Sequence, residues 1–387
     1  MSTNIAFAIL ALFVSVFLVA QVFYLTNYSF LSVALFVLVD CAALFSFYFV
    51  ASWLCKKIRP IWITRVAVFF GVVFLVVIAS WQDGLREYYM LFGFLWGMVT
   101  GLHWGAMNLI FTSAFEGEKT KSFMTWFFAI EIVASIVFPF TFGLLIDFGS
   151  FFLTSVVVLA IGGIMLVSTF FFTSPKKEKD GLKLREFFKI LKVKNMLKPA
   201  IALWGIFSLS GVLRAVSFCL ILLVFLYFGS NMSLGMFSSI AAAVGVVVLI
   251  VYKKLNKKIY WALGLIPLIS LIPLFFNVGL VTLVVFQFGI IFRTAVMVEE
   301  SAIRLNFPKM IGANNHIVES HLFFESAFFV GRILSCTLII IIALVGATMM
   351  LVVVGMAIML VLYAVHSVLL RVWSGKYNTG AMEKKTD

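Results

Sequence analysis

Twelve stretches of mainly apolar residues follow one another along the chain, each close to or above 20 residues and separated by short polar breaks. They run 4–26, 29–54, 61–81, 88–114, 122–146 and 150–173, then 199–228, 232–252, 259–277, 279–298, 321–345 and 348–372. About 30 Å of hydrocarbon at 1.5 Å rise per residue needs about 20 residues, so each stretch has the length of a membrane-spanning helix. Only the turn Asn277-Val278-Gly279 separates the ninth from the tenth. Barrel strands would alternate apolar and polar positions. These runs are continuous, as in Val72–Ile78 and Leu338–Leu344. In hydrocarbon a helix pairs every backbone amide within its own segment. The pattern therefore predicts an all-α polytopic membrane protein with 12 transmembrane helices.

The first stretch begins almost at Met1. It exceeds the ~7–15 residues of a signal-peptide core and lacks a basic leader, so it reads as a retained first span. The composition agrees: 64% of the 387 residues are hydrophobic and 12% charged. The formal charge is +13. Its basic residues sit in the breaks rather than in a stripe with interleaved aromatics, which argues against a nucleic-acid partner. Of 29 Lys and Arg, all but four fall in alternate loops, helix mouths and tail if the N-terminus is cytoplasmic. The exceptions are Arg86 in an opposite loop and Arg214, Arg293 and Arg332 within spans. Basic residues concentrate on the inner side of membranes, so both termini are expected to be cytoplasmic. The short loops suit a bacterial cell membrane, and the chain is expected to work as a monomer.

Residues 175–198 interrupt the pattern with a charged linker between 1–174 and 199–374; 375–387 form a tail. Within the linker, Leu184, Phe187, Phe188 and Leu191 recur at helical spacing among basic residues. That fits either an amphipathic helix on the membrane surface or a solvated connector. Cys41, Cys55, Cys219 and Cys336 have no CxxC or CxH spacing, so no disulfide framework or metal site is expected. No nucleotide, zinc-protease or nucleophile-elbow motif is present, so the chain reads as a non-enzyme without cofactors.

Six spans, a basic linker and six further spans resemble the major facilitator superfamily of transporters. The loop Ser52-Trp-Leu-Cys-Lys56-Lys57-Ile-Arg59-Pro is similar to its Gly-x-x-x-Asp-Arg-x-Gly-Arg-Lys loop in basic character only. Phe138-Pro139-Phe-Thr-Phe-Gly143 resembles a loose form of the Gly-Pro-x-x-Gly-Gly element of proton-coupled drug exporters. Gly97, Gly101 and Gly105 in span four, and Gly331-Arg332 in span eleven, also look like that superfamily. The resemblance implies two six-helix bundles around a cavity, with spans three, six, nine and twelve peripheral.

Ionisable residues are costly inside a bilayer and mark function by default. Asp40, Glu131, Arg214, Arg293, Glu325 and Arg332 lie within the spans, and His103 joins them. A carboxylate withdrawn from water binds a proton more readily. Asp40 and Glu131 are thus candidates for proton coupling, with Arg214 as an alternative static partner. His103 is a candidate relay. Trp104, Trp204 and Phe128 suit an amphipathic or aromatic substrate. Arg293 and Glu325 form a candidate gating ion pair, with Arg332 on the same helical face as Glu325. The expected function is secondary transport of a small molecule, with proton-coupled export of an amphipathic compound first. Proton-coupled uptake of a sugar, peptide or organic anion, lipid handling, or a non-transporting sensor on the same fold are the alternatives.

Overall fold

A computed structural model describes residues 2–114, 118–171, 181–254, 260–346 and 348–377. The linker before residue 181 and the tail after residue 377 lie outside the described residues. Among the described residues all regular structure is helical. In chain order the crossing segments are α1 (Ile5–Leu25), α2 (Phe30–Cys55), α3 (Pro60–Ser80), α4 (Tyr89–Ala114), α5 (Ala129–Phe148) and α6 (Phe151–Phe171). They continue as α7 (Leu197–Phe228), α8 (Asn231–Tyr252), α9 (Trp261–Phe275), α10 (Leu280–Met310), α11 (Ile317–Gly346) and α12 (Met349–Lys376). Ten are long and apolar enough to cross a membrane. The other two are α4, which carries Thr100, His103, Asn108 and Thr112, and the short α9. Pro267 and Pro273 divide α9 into short α and 3-10 pieces, because each proline removes a backbone donor. The protein is an all-α, multi-pass membrane protein.

Local chemistry sets the helix ends. Ser29 and Ser150 cap α2 and α6, accepting from the amides of Ser32 at 3.1 Å and Leu153 at 3.0 Å. Pro60 opens α3 in the first turn, where its missing N–H has no cost. Gly229, at φ 66°, ends α7 in the left-handed conformation, and Ser230 turns the chain into α8.

Glycines bring particular helices into backbone contact. A Cβ on Gly97 would lie 2.3 Å from the Asp40 carbonyl oxygen, and one on Gly101 2.3 Å from that of Leu44. Gly105 faces the Ala51 methyl in the same row, so α4 lies directly on α2. Gly211 and Gly331 do the same between α7 and α11. Gly143 and Gly235 join α5 to α8 across the two halves, Gly143 against Asn231 and Gly235 against Pro139. The proline–glycine element of α5 is thus a helix-crossing point.

Besides α9, the helices α1, α7 and α10 are interrupted along their length. In α1, Phe13–Leu18 is π-helical. α7 breaks at Val212 and α10 at Phe292. Arg214 and Arg293 follow those breaks within two residues. α10 corrects the sequence expectation in one respect. It does not stop at residue 298 but continues as helix to Met310, carrying Glu299, Glu300 and Arg304 inward.

The linker helix Leu184–Val193 also takes a different place from the membrane surface. Phe187 and Leu191 are fully buried. Phe187 packs 6.1 Å from the Phe323 ring of α11, so protein covers that part of the apolar face, while Phe188 beside it is exposed.

Candidate functional site

Acidic and basic residues from both halves converge on a central cavity of about 480 Å³. Its walls come from α1, α2, α4, α5, α7, α10 and α11; α3, α6, α9 and α12 contribute nothing to it. Those four helices instead carry many of the exposed large apolar side chains, among them Phe69, Ile164, Ile269 and Val361. Asp40, Glu131, Arg214, Arg293, Glu325, Arg332 and Trp104 all line the cavity. A second cavity of about 360 Å³ adjoins it and shares Ser15, Arg214, Ser217 and Arg293.

Two acid–arginine pairs are made inside it. Arg214 of α7 donates to Asp40 of α2 at 2.5 Å, joining the halves. Arg332 donates to Glu325 at 2.5 Å along α11. This second pair replaces the expected one: Arg293 donates instead to Ser217 at 3.0 Å. The seven-residue spacing of Glu325 and Arg332 puts them on one face two turns apart, within reach of each other. All three residues line the central cavity.

Glu131 is half-buried, and among the described residues no donor reaches its carboxylate. On the opposite wall the face of α10 adds Glu300 and Arg304. Ser210 donates to Glu300 at 3.0 Å, and Arg304 donates to Asn108 of α4 at 3.4 Å. Sequence reading missed Glu300, Arg304 and Asn108. Spacing held the signal for the first two: Arg293, Met297, Glu300 and Arg304 recur at helical intervals past the apolar run. Phe7, Trp104, Phe111 and Phe127 form an apolar wall on the N-terminal half, and Phe328 faces it between the guanidinium groups of Arg304 and Arg332. Trp204 is not in the wall; its indole donates to Ser326 at 2.9 Å. The Phe128 side chain lies outside the described residues.

His103 does not reach the cavity. Its ring is fully buried and stacks face to face on Phe7, centroids 3.7 Å apart. Neither ring nitrogen has a hydrogen-bond partner among the described residues, so the ring has no proton path there.

With this geometry the fold matches solved structures. One is a POT family transporter in complex with a thioalcohol-conjugated peptide: TM-score 0.63, 12% identity, covering 97% of this chain and 96% of that one. Another is a POT family transporter in complex with 5-aminolevulinic acid: TM-score 0.64, 13% identity and the same coverage. The chain has the major facilitator fold. No protein-family model and no curated protein matches the sequence, so the likeness is one of fold.

Two further carboxylates, at opposite ends of the helices, make contacts between segments that the sequence did not reveal. On the side carrying the chain ends, Glu319 at the start of α11 is fully buried. It takes Lys56 of the α2–α3 loop at 3.2 Å and the Lys183 amide at 2.9 Å, with His316 at 3.8 Å. On the far side, the Asp147 carboxylate at the end of α5 accepts from the amides of Asn231 and Met232, at 3.2 and 2.8 Å. A carboxylate there complements the N-terminal dipole of α8.

The Asp40–Arg214 pair makes one prediction. Removing one partner of a fully buried pair costs about 3–5 kcal/mol, because the other charge is stranded. The Arg214 side chain is 34% exposed to the cavity, so water recovers part of it. Asp40→Asn is expected to lower stability by about 1–3 kcal/mol. The double variant Asp40→Asn/Arg214→Gln should lose less. Thermal unfolding of the detergent-solubilised protein tests the ordering.

Proposed function

We propose that the protein is a secondary transporter that takes up a small dipolar solute with protons, by alternating access of the central cavity. The observation that carries this reading is the charge left over in the cavity. Asp40–Arg214 and Glu325–Arg332 neutralise each other. Outside these pairs, Glu131 remains on one half, facing Arg293, Arg304 and Glu300 on the other, and the two arginines reach only neutral partners among the hydrogen bonds described. A solute with a cationic and an anionic end would bridge the halves and be held by both. The bound peptide conjugate and 5-aminolevulinic acid of the two solved structures have that dipolar chemistry, which supports uptake of a peptide-like solute over export of an amphipathic compound. Glu131 is the proton-coupling residue in this reading, competing between substrate and proton. The termini and the basic linker face the cytoplasm.

Proteoliposomes test it directly. Dialanine and 5-aminolevulinic acid should accumulate when the outside is acidified and stop when a protonophore collapses the gradient. Dyes and hexoses should not accumulate. Glu131→Gln is expected to lower gradient-driven accumulation at least about tenfold, a change of about 1.4 kcal/mol in the driving step. Substrate-dependent conformational change without movement of any compound would favour a sensor on this fold. Accumulation by Glu131→Gln equal to wild type, with the same pH profile, would remove that residue from coupling.

A further inference from the structure

From the cavity wall inward runs a polar cluster that the transport reading does not use. His366 is fully buried in α12, a helix that contributes nothing to the cavity. Its Nδ1 sits 2.7 Å from the Ile206 carbonyl oxygen of α7. A carbonyl oxygen can only accept, so Nδ1 carries a proton and donates it. In the neutral ring Nε2 is then a bare lone pair. That nitrogen lies 3.9 Å from Oε2 of Glu300 and has no hydrogen-bond partner among the described residues. Glu300 is itself 5% exposed, and its Oε1 is also unpartnered. Two buried acceptors facing one another, each with unmet hydrogen-bonding capacity, are costly. One proton between them removes the conflict.

We propose that Glu300 and His366 hold a single proton between Oε2 and Nε2, making a proton-binding site at the back of the cavity. The proton moves between an oxygen and a nitrogen; no other bond forms or breaks, and no co-reactant is required. Glu300 lines the cavity, so the site exchanges its proton on that side, while His366 ties it to the α7 backbone. The surrounding groups are accounted for. Ser210 of α7 donates to Oε2 at 3.0 Å. Arg304 of α10 and Arg332 of α11 act on Glu300 through space. Tyr363 of α12 stacks on His366 at 5.4 Å and lies near Arg293 of α10. A change of proton occupancy therefore acts directly on the contact between α10, α12 and α7.

The site supplies a proton carrier to the transport reading, but its test does not depend on any transported compound. Infrared difference spectroscopy on the purified full-length protein, titrated from acid to alkaline pH in H₂O and D₂O, should show a buried carboxylic-acid carbonyl band. Glu300→Gln should delete that band. His366→Gln should keep it but displace its midpoint by a pH unit or more, because the proton's second partner is gone. If the proton rests on the ring instead, ¹⁵N spectra of labelled imidazole should show His366 doubly protonated at neutral pH, and Glu300→Gln should abolish that signal; this also supports the pair. A wild-type protein with neither signal overturns the proposal without any variant needing to fold. So does a His366→Gln midpoint identical to wild type. Failure of every transport assay with the spectroscopic signals intact would remove the transport reading and leave the proton site standing.

Discussion

Replacing Glu319 by Gln is expected to raise the rate at which a maleimide labels Cys55 by at least about tenfold, corresponding to about 1.4 kcal/mol. Cys55 is fully buried beside Lys56 and reports the closed state of that side. In the closed state Glu319 is the carboxylate that Lys56 and the Lys183 amide converge on. Gln keeps the shape but not the charge, which removes the carboxylate that pairs with the buried Lys56 ammonium. Removing one partner of a buried ion pair costs about 3–5 kcal/mol. Opening toward water relieves that cost, so the variant shifts population toward the open form; half the cost is enough for tenfold. Cys219, fully buried in α7, is the control: its labelling should stay unchanged if the variant is folded. Replacing both partners, Lys56→Met with Glu319→Leu, should return Cys55 to near its original rate, since neither charge is then left behind. Unchanged labelling in folded Glu319→Gln would show that the contact does not hold this side shut.

That contact also marks where sequence reading stops. The crossing segments were legible because hydrocarbon demands a long apolar run, and a run is a local property. The in-span charges were legible for the same reason: Asp40, Glu131 and Arg214 interrupt apolar stretches, and all three line the cavity. Pairing was not. Glu325 lies in contact with Arg332 and not with Arg293, which depends on the rotation of α11 against α10. Glu300, Arg304 and Glu319 escaped notice because they lie among polar residues that resemble a loop. Glu300 and Glu319 are buried and Arg304 is half-buried because tertiary partners exist: Ser210, Asn108 and Lys56 come from three other segments. Glu299, likewise buried, is hydrogen-bonded by Tyr252 of α8. His103 misled for the converse reason. A lone imidazole in an apolar helix looks functional, and only its stacking on Phe7 shows it to be packed away.

The glycine row of α4 was readable as close packing, and its disruption should force two helices apart. Gly97→Val is expected to lower stability by about 1–3 kcal/mol, the usual cost of forcing extra methyl groups into a filled space. Here the space is filled by backbone. A Cβ at Gly97 would stand 2.3 Å from the Asp40 carbonyl oxygen and 2.9 Å from the Leu44 nitrogen, and neither can rotate away. α2 and α4 must separate instead. Gly101→Val strikes the next turn of the same crossing, 2.3 Å from the Leu44 carbonyl oxygen. Once the helices are apart the second insertion meets less resistance, so the double variant should cost less than the sum of the singles. Gly163 in α6 has no atom within 4 Å of such a Cβ, so Gly163→Ala should leave the melting temperature unchanged or raise it. The crossing also has a functional consequence, since the α2 backbone that Gly97 touches carries Asp40. Pushing that backbone outward draws the carboxylate away from Arg214, and the pair joining the halves is lost along with the packing. Gly97→Val should therefore lose gradient-driven accumulation per folded molecule, whereas Gly163→Ala should retain it. A Gly97→Val protein that melts with wild type would mean that α2 and α4 do not touch through this row.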